Sequence, residues 1–91
     1  DNNTYQKEYT YLGFAEAVDE RGCAQITQRN KFSVGETIEI MKPDGQNLSV
    51  TVRGIYDEDG NSMESAPHAQ QKLFIDLGTE IQVYDLLRRA E

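Results

Sequence analysis

The chain has 91 residues, a net charge of -7 and 37% apolar residues, and these values limit its possible class. The length indicates one domain with a compact core, the single cysteine excludes a disulfide-stapled scaffold, and no run reaches the roughly 18 apolar residues of a membrane span. The acidic balance disfavours free-standing nucleic-acid binding, because affinity for phosphates comes mainly from Lys and Arg. Without a basic-then-apolar leader, the chain is expected to be cytoplasmic.

The N-terminal third predicts a polar tail followed by two strands. Residues 1–8 are polar and without period, which indicates a linker or tail. Residues 9–19 are aromatic and apolar around an internal glycine, as in a strand that bends or lies close to another backbone. After a tight turn, a second strand carries Ala24 and Ile26 on one face.

The middle of the chain predicts further strands separated by turns. Ile38 and Ile40 alternate with polar residues, and a Pro-Asp-Gly turn follows them. Residues 48–56 alternate cleanly between apolar and polar, and the Asp-Gly pair in residues 57–61 is a strong hairpin signal. A short strand is predicted at 62–64.

The C-terminal part predicts one strand and leaves one segment open. Leu73, Ile75 and Leu77 share one face of a strand, whereas residues 83–90 fit either a last strand or a single helical turn. Six to seven short strands bounded by Gly, Pro and Asp turns indicate an all-β domain, a small antiparallel barrel or sandwich, and we expect the barrel.

The residues with reactive or metal-binding side chains do not form a recognisable site. Cys23 is predicted to lie in a strand, has no nucleophile signature around it and is interpreted as a small half-buried residue. One Cys and one His do not make a zinc site, and the acidic turn at 57–61 lacks the glycine and glutamate positions of a calcium loop. We therefore expect no catalytic residue, no metal site and no cofactor in this chain.

The segment at 28–32 is the first candidate binding site. Arg29 and Lys31 flank Asn30 ahead of a phenylalanine. One interpretation is that other cations join them in a basic surface that contacts RNA backbone or an acidic partner. These other cations are Arg53, Lys72, Arg88 and Arg89. The other interpretation, which we place ahead of the basic surface, is that all of these are isolated surface charges on alternating strands.

The second candidate site is the segment at 66–71, which holds the only histidine. Pro67 favours an extended conformation in the residue before it, and His68 is interpreted first as a turn residue that bonds a nearby backbone carbonyl, ahead of a catalytic role. Gln70 and Gln71 can bond loop backbone in the same way. The two segments together supply the predicted binding residues Arg29, Asn30, Lys31, His68, Gln70 and Gln71.

Three segments of the chain resemble the C-terminal domain of the collagenase-like peptidase family, peptidase family U32. The resemblance rests on the order of the motifs QRNKFSVGE, APHAQQK and DLLRR, and it runs from about residue 9 to residue 89. The motif FSVGETIEI is also similar to a strand entry in the barrel-shaped second domain of translation elongation factors, which supports a barrel.

The resemblance implies that residues 9–91 are a C-terminal accessory domain of an enzyme whose catalytic part lies upstream. Members of the family are described as peptidases, some as collagenases, while others are associated with hydroxylation of bases in tRNA or rRNA. We expect a non-catalytic domain that binds or positions a protein or peptide substrate. One alternative is an RNA-facing domain that uses Arg29, Lys31, Arg53 and Lys72. Another is a structural module that docks on its own catalytic domain. We do not expect the domain to bind a membrane.

Overall fold

The computed structural model describes residues 8–91, in which nine strands form two antiparallel sheets. In chain order the strands are β1 Tyr9–Phe14, β2 Ala17–Val18, β3 Ala24–Thr27, β4 Thr37–Met41, β5 Asn47–Thr51, β6 Gly54–Tyr56, β7 Ser62–Met63, β8 Lys72–Asp76 and β9 Leu86–Ala90. One sheet has the order β1-β9-β4-β5 and the other β2-β3-β8-β6-β7. The predicted tail at 1–8 lies, apart from its last residue, outside the described residues.

The structure confirms the all-β antiparallel prediction and corrects the barrel. The two sheets are not joined into one closed sheet, so β1 and β5 remain as the edges of the first sheet and β2 and β7 as those of the second. Residues 8–91 contain no helix, and so none that is long and apolar enough to cross a bilayer.

Nine strands form instead of the expected six to seven, partly because two predicted strands divide. Residues 9–19 give β1 and β2, and residues 48–56 give β5 and β6. The second division occurs where Val52 donates its N–H to Glu36 O and the next residue, Arg53, donates to Asp76 O. The backbone N–H groups of two consecutive residues thus bond to different sheets. The alternation of apolar and polar side chains does not predict that the chain crosses between the sheets here. Residues 83–90, for which the sequence allowed either a strand or a helical turn, contain strand β9.

The predicted apolar faces all lie in one core between the sheets. In β3, β4 and β8 alternate residues are buried, as the period of two requires, and Leu48 and Val50 of β5 are half-buried against the same core. The buried residues predicted by alternation include Ala24, Ile26, Ile38, Ile40, Val52, Leu73, Ile75 and Leu77. Leu12, Phe32, Ile55 and Leu87 complete the centre of this core.

A β-bulge in β1 decides which side chains of this edge strand face outward. The register against β9 shifts between Tyr11 and Gly13, and Leu12 and Gly13 are both buried while Tyr11 and Phe14 are exposed. The extra residue changes the phase of the alternation. Phe14 therefore faces outward, as Tyr11 does, instead of entering the core.

Candidate functional site

The two predicted binding segments lie side by side. Gln28 N–H donates to Gln71 O at 2.9 Å, and Gln70 N–H donates to Gln28 O at 2.7 Å. Farther along, Val34 N–H donates to Glu64 O at 2.9 Å. We call residues 28–31 and 66–71 the paired loops. All six predicted binding residues belong to them, although they come from segments about 40 positions apart in the chain.

Gln28 holds the paired loops together, and sequence reasoning did not single it out. Its side chain is 1% exposed, and its Nε2 donates to Ala66 O at 3.3 Å and to His68 O at 3.1 Å. Its Oε1 is buried without a partner in the described structure. The available signal was the alternation of Ala24 and Ile26, which places Gln28 at the next buried position of the same face.

Some of the other predicted residues shape the loops through their backbone, and some expose their side chains to solvent. His68 is exposed and accepts the bond from Gln28 through its backbone carbonyl, and Gln70 has a positive φ of 62° in the turn that follows. Gln71 is half-buried. Asn30 Nδ2 donates to Tyr11 O at 2.8 Å, so this side chain satisfies the open edge of β1. The exposed side chains offered to a partner are thus those around Asn30 and His68.

Arg29, Lys31 and Arg53 make no ion pair within residues 8–91. The remaining cations of this part of the chain are paired with carboxylates, as Lys42 is with Asp85 at 2.6 Å. The other pairs are Arg21–Asp19, Lys72–Glu16, Arg88–Glu39, Arg89–Glu36 and Arg89–Glu91. Because most cations of residues 8–91 are paired, unpaired positive charge is found at few places in this part of the acidic chain of net charge -7, and one of them is the segment 29–31.

Two cations considered for an RNA surface are placed differently from Arg29 and Lys31. Lys72 Nζ lies 2.9 Å from Glu16 Oε1, and this bond, with a second one from Thr27, holds the pKa of the Glu16 carboxyl below its usual value. Arg53 bonds Asp76 at the end of β8 away from the paired loops. Five residues of extended strand separate that end from Gln71, about 16 Å.

The reactive groups considered from the sequence are held in structural roles. Cys23 was expected to be half-buried within a strand, but it is buried and lies directly before β3. Burial raises the pKa of the Cys23 thiol, which keeps it protonated and a weak nucleophile at neutral pH. Asp57 Oδ1 accepts the N–H groups of Asp59 and Asn61 within the β6–β7 hairpin turn. Within the described range there is no group of three metal-binding side chains and no pocket.

Three tyrosines that could contact a peptide partner differ in exposure. Tyr9 and Tyr11 are each 38% exposed on β1. Tyr56 is half-buried on the other sheet, with the Arg21 guanidinium 5.5 Å from its ring centroid. Tyr9 and Tyr11 lie on β1, and Asn30 of the paired loops bonds the edge of that strand, so the two tyrosines are close to the paired loops.

Replacing Gln28 with Leu is expected to lower the free energy of unfolding by about 1 to 3 kcal/mol. The change leaves the carbonyls of Ala66 and His68 without their buried donor. Urea unfolding measures the loss, and hydrogen exchange should show faster opening of 66–71. The control is Gln46→Leu at an exposed turn position, where we expect a change below about 0.5 kcal/mol. Equal effects of the two variants would contradict the anchoring role.

Comparison with known proteins places the chain in a family. Residues 7–88 match the family model described as the peptidase family U32 C-terminal domain. The chain is 30% identical over 84 residues to the tRNA hydroxylation protein P1 of Bacillus subtilis (strain 168), and this match covers 91% of the chain and 20% of that protein. The chain thus spans a small part of the length of this curated relative.

The fold is also found in solved structures. The crystal structure of the C-terminal domain of a protein assigned to peptidase family U32 in Geobacillus thermoleovorans is 29% identical, with a TM-score of 0.76, over 90% of this chain and 92% of that one. Its selenomethionine variant gives 29% identity and a TM-score of 0.72 over 90% and 99%. Together with the family match over nearly the whole chain, this shows that the chain belongs to the C-terminal domain family of the U32 peptidases.

Proposed function

We propose that this chain is the accessory domain of an RNA-modifying enzyme and positions tRNA for a catalytic part elsewhere in the protein. The observation that carries the proposal is the relative named a tRNA hydroxylation protein, which matches over 91% of the chain. The domain's own contribution in this proposal is binding, while the Cys23 thiol is buried and the Asp57 carboxylate serves a turn. The name of this relative favours the RNA interpretation over the peptide interpretation.

The paired loops supply the contact to RNA. Arg29 and Lys31 are exposed and have no ion pair within residues 8–91, and His68 is exposed on the adjoining loop. Cations of this kind bind phosphate oxygens, which fixes the register of a nucleic acid without reading its sequence. Because the domain as a whole is acidic, it engages few phosphates. Its role is to orient RNA that the rest of the enzyme also holds.

Replacing Arg29 with Glu is expected to weaken binding of bulk tRNA by the 91-residue chain about tenfold or more. The variant loses a charge-assisted bond to phosphate, and the dependence of log K on log salt should become shallower by about 1. Binding is measured by fluorescence anisotropy of labelled tRNA at two salt concentrations. Lys31→Glu should behave in the same way.

The matched control is Arg53→Glu, which makes the same change of net charge at the far end of β8. It should lower tRNA affinity by less than about threefold, since only long-range repulsion changes. If Arg53→Glu and Arg29→Glu weaken binding equally, the effect comes from net charge and the paired loops are not the contact. Absence of tRNA binding by the unmodified chain would refute the proposal.

The second candidate function is binding of a protein substrate for a peptidase. It is favoured by the solved relatives, which are assigned to a peptidase family, and by the exposed tyrosines of β1. Gelatin immobilised on resin tests it. Gelatin binding that persists at high salt, together with failure to bind tRNA, would select this function.

A further inference from the structure

The large apolar side chains that are exposed in residues 8–91 lie in two adjoining places. They are Tyr9, Tyr11, Phe14, Val83 and Tyr84. The first three are on β1, and the other two are on the turn before β9, the strand that pairs with β1. Tyr84 N–H donates to Ala15 O at 2.8 Å, which holds this turn against the end of β1. Apolar side chains gathered on one surface indicate an interaction site more strongly than scattered ones.

Tyr84 is presented to solvent by a backbone that is strained and firmly held. Its side chain is 70% exposed, and its φ of 78° lies in the region that favours glycine. The next residue, Asp85, is buried, donates its N–H to Gln82 O at 3.0 Å, and pairs with Lys42. Strain of this kind persists only where the surroundings impose it, and it collects at functional positions. The turn therefore holds an exposed ring in a set direction.

The rings of the surface are ordered with respect to one another. The Phe14 and Tyr84 rings are inclined by 18°, with centroids 6.4 Å apart. The bulge of β1 places Phe14 outward like Tyr11. Tyr9 is covered by the Arg88 guanidinium, 3.7 Å from its ring centroid, so it is not counted among the rings open to a ligand. We call Tyr11, Phe14 and Tyr84 the aromatic surface.

Unpaired positive charge borders the aromatic surface. Asn30 Nδ2 donates to Tyr11 O, and Arg29 N–H donates to Leu12 O at 3.0 Å. The loop that carries Arg29 and Lys31 therefore lies along the edge of β1. On the outer face of the same sheet, the Glu39 carboxylate is neutralised by Arg88 at 3.1 Å. Aromatic rings beside unpaired cations are the combination that binds single-stranded nucleic acid, in which bases stack and phosphates meet the charges.

We propose that the aromatic surface stacks unpaired bases of the bound RNA, while Arg29 and Lys31 hold the adjoining phosphates. This deepens the proposed function and rests on it. The ligand class is a single-stranded segment such as a tRNA loop, since bases within a duplex do not expose their faces to protein rings. A purely apolar partner would leave the cations at the rim without a role.

The test compares binding of a labelled oligouridylate and of a fully paired RNA duplex to the 91-residue chain. The solved relatives are isolated C-terminal domains covered to 92% and 99% by this chain, so the domain folds by itself. Tyr84→Gly removes the ring and suits the positive φ, so the fold is retained. We expect it to weaken oligouridylate binding about 5- to 100-fold, while Tyr84→Phe binds like the unmodified chain. Val83→Ala is the control in the same turn.

The outcomes separate this inference from the function on which it rests. If tRNA binding depends on Arg29 but Tyr84→Gly binds oligouridylate normally, the aromatic surface is not a stacking site and only this inference falls. Equal affinity for duplex and single strand would also overturn it. If the unmodified chain binds no RNA, both proposals fall. Gelatin binding that is lost in Tyr84→Gly would then assign the surface to a protein partner.

Discussion

Replacing Asp85 with Ala is expected to lower the free energy of unfolding by about 3 to 5 kcal/mol, the largest single effect we foresee. The Asp85 side chain is fully buried, and its Oδ2 accepts both Lys42 Nζ at 2.6 Å and the Gln82 N–H at 2.9 Å. Removing one partner of a buried ion pair leaves the other charge uncompensated. The variant also frees the turn that holds Tyr84, so its oligouridylate binding should fall with its stability.

The measurement is urea unfolding of single and double variants. In a cycle of Asp85→Ala, Lys42→Met and the double variant, we expect a coupling energy of about 1 to 3 kcal/mol between the two residues. Asp59→Ala, at an exposed turn carboxylate, is the control and should change stability by less than about 0.5 kcal/mol. A coupling energy near zero would mean that the Asp85 carboxylate stabilises the turn by accepting the Gln82 N–H and not through Lys42.

Replacing Gly13 with Ala is expected to cost about 2 to 4 kcal/mol. Gly13 has a φ of 144°, and a Cβ built on it would lie 2.9 Å from the backbone oxygen of Thr27. The cost combines backbone strain with a contact that only a shift between β1 and β3 can relieve. Because Gly13 forms the bulge, the variant should also disturb the outward position of Phe14.

The control for Gly13 separates the contact from the conformation. Gly22 also has a positive φ, of 83°, but a Cβ there would meet nothing within 4 Å. Gly22→Ala should therefore cost only about 1 kcal/mol, the strain alone. The stabilities of both variants are compared by thermal and urea unfolding. Similar losses would show that the approach of β3 to β1 does not constrain this position.

The relation between sequence and site is clearest at Gln28. Alternation placed Ala24 and Ile26 on one face but did not single out Gln28, although Gln28 occupies the next position of the same face and is buried in the structure. No local pattern states that its amide bonds the carbonyls of Ala66 and His68, because those partners lie 38 and 40 positions away in the chain. The same limit applies to the cations. Whether an arginine is paired depends on which carboxylate the sheet register brings beside it.

By itself, the sequence determined the class of this protein, its buried faces and its family. A period of two between apolar and polar residues, broken by Gly, Pro and Asp turns, is a local property, and it is sufficient for an all-β antiparallel chain. The ordered motifs that begin at residue 28 and end at residue 89 were sufficient for the family. These features need no knowledge of which strands pair.

Only the tertiary structure decided the sheet closure, the paired loops and the aromatic surface. The chain crosses between sheets at Val52 and Arg53, and the bulge at Gly13 reverses the phase of β1, because both steps depend on backbone bonds to distant strands. Residues far apart in sequence, such as Tyr11 and Asn30 or Phe14 and Tyr84, become neighbours through those bonds. The site is therefore a consequence of strand pairing, which alternation alone does not specify.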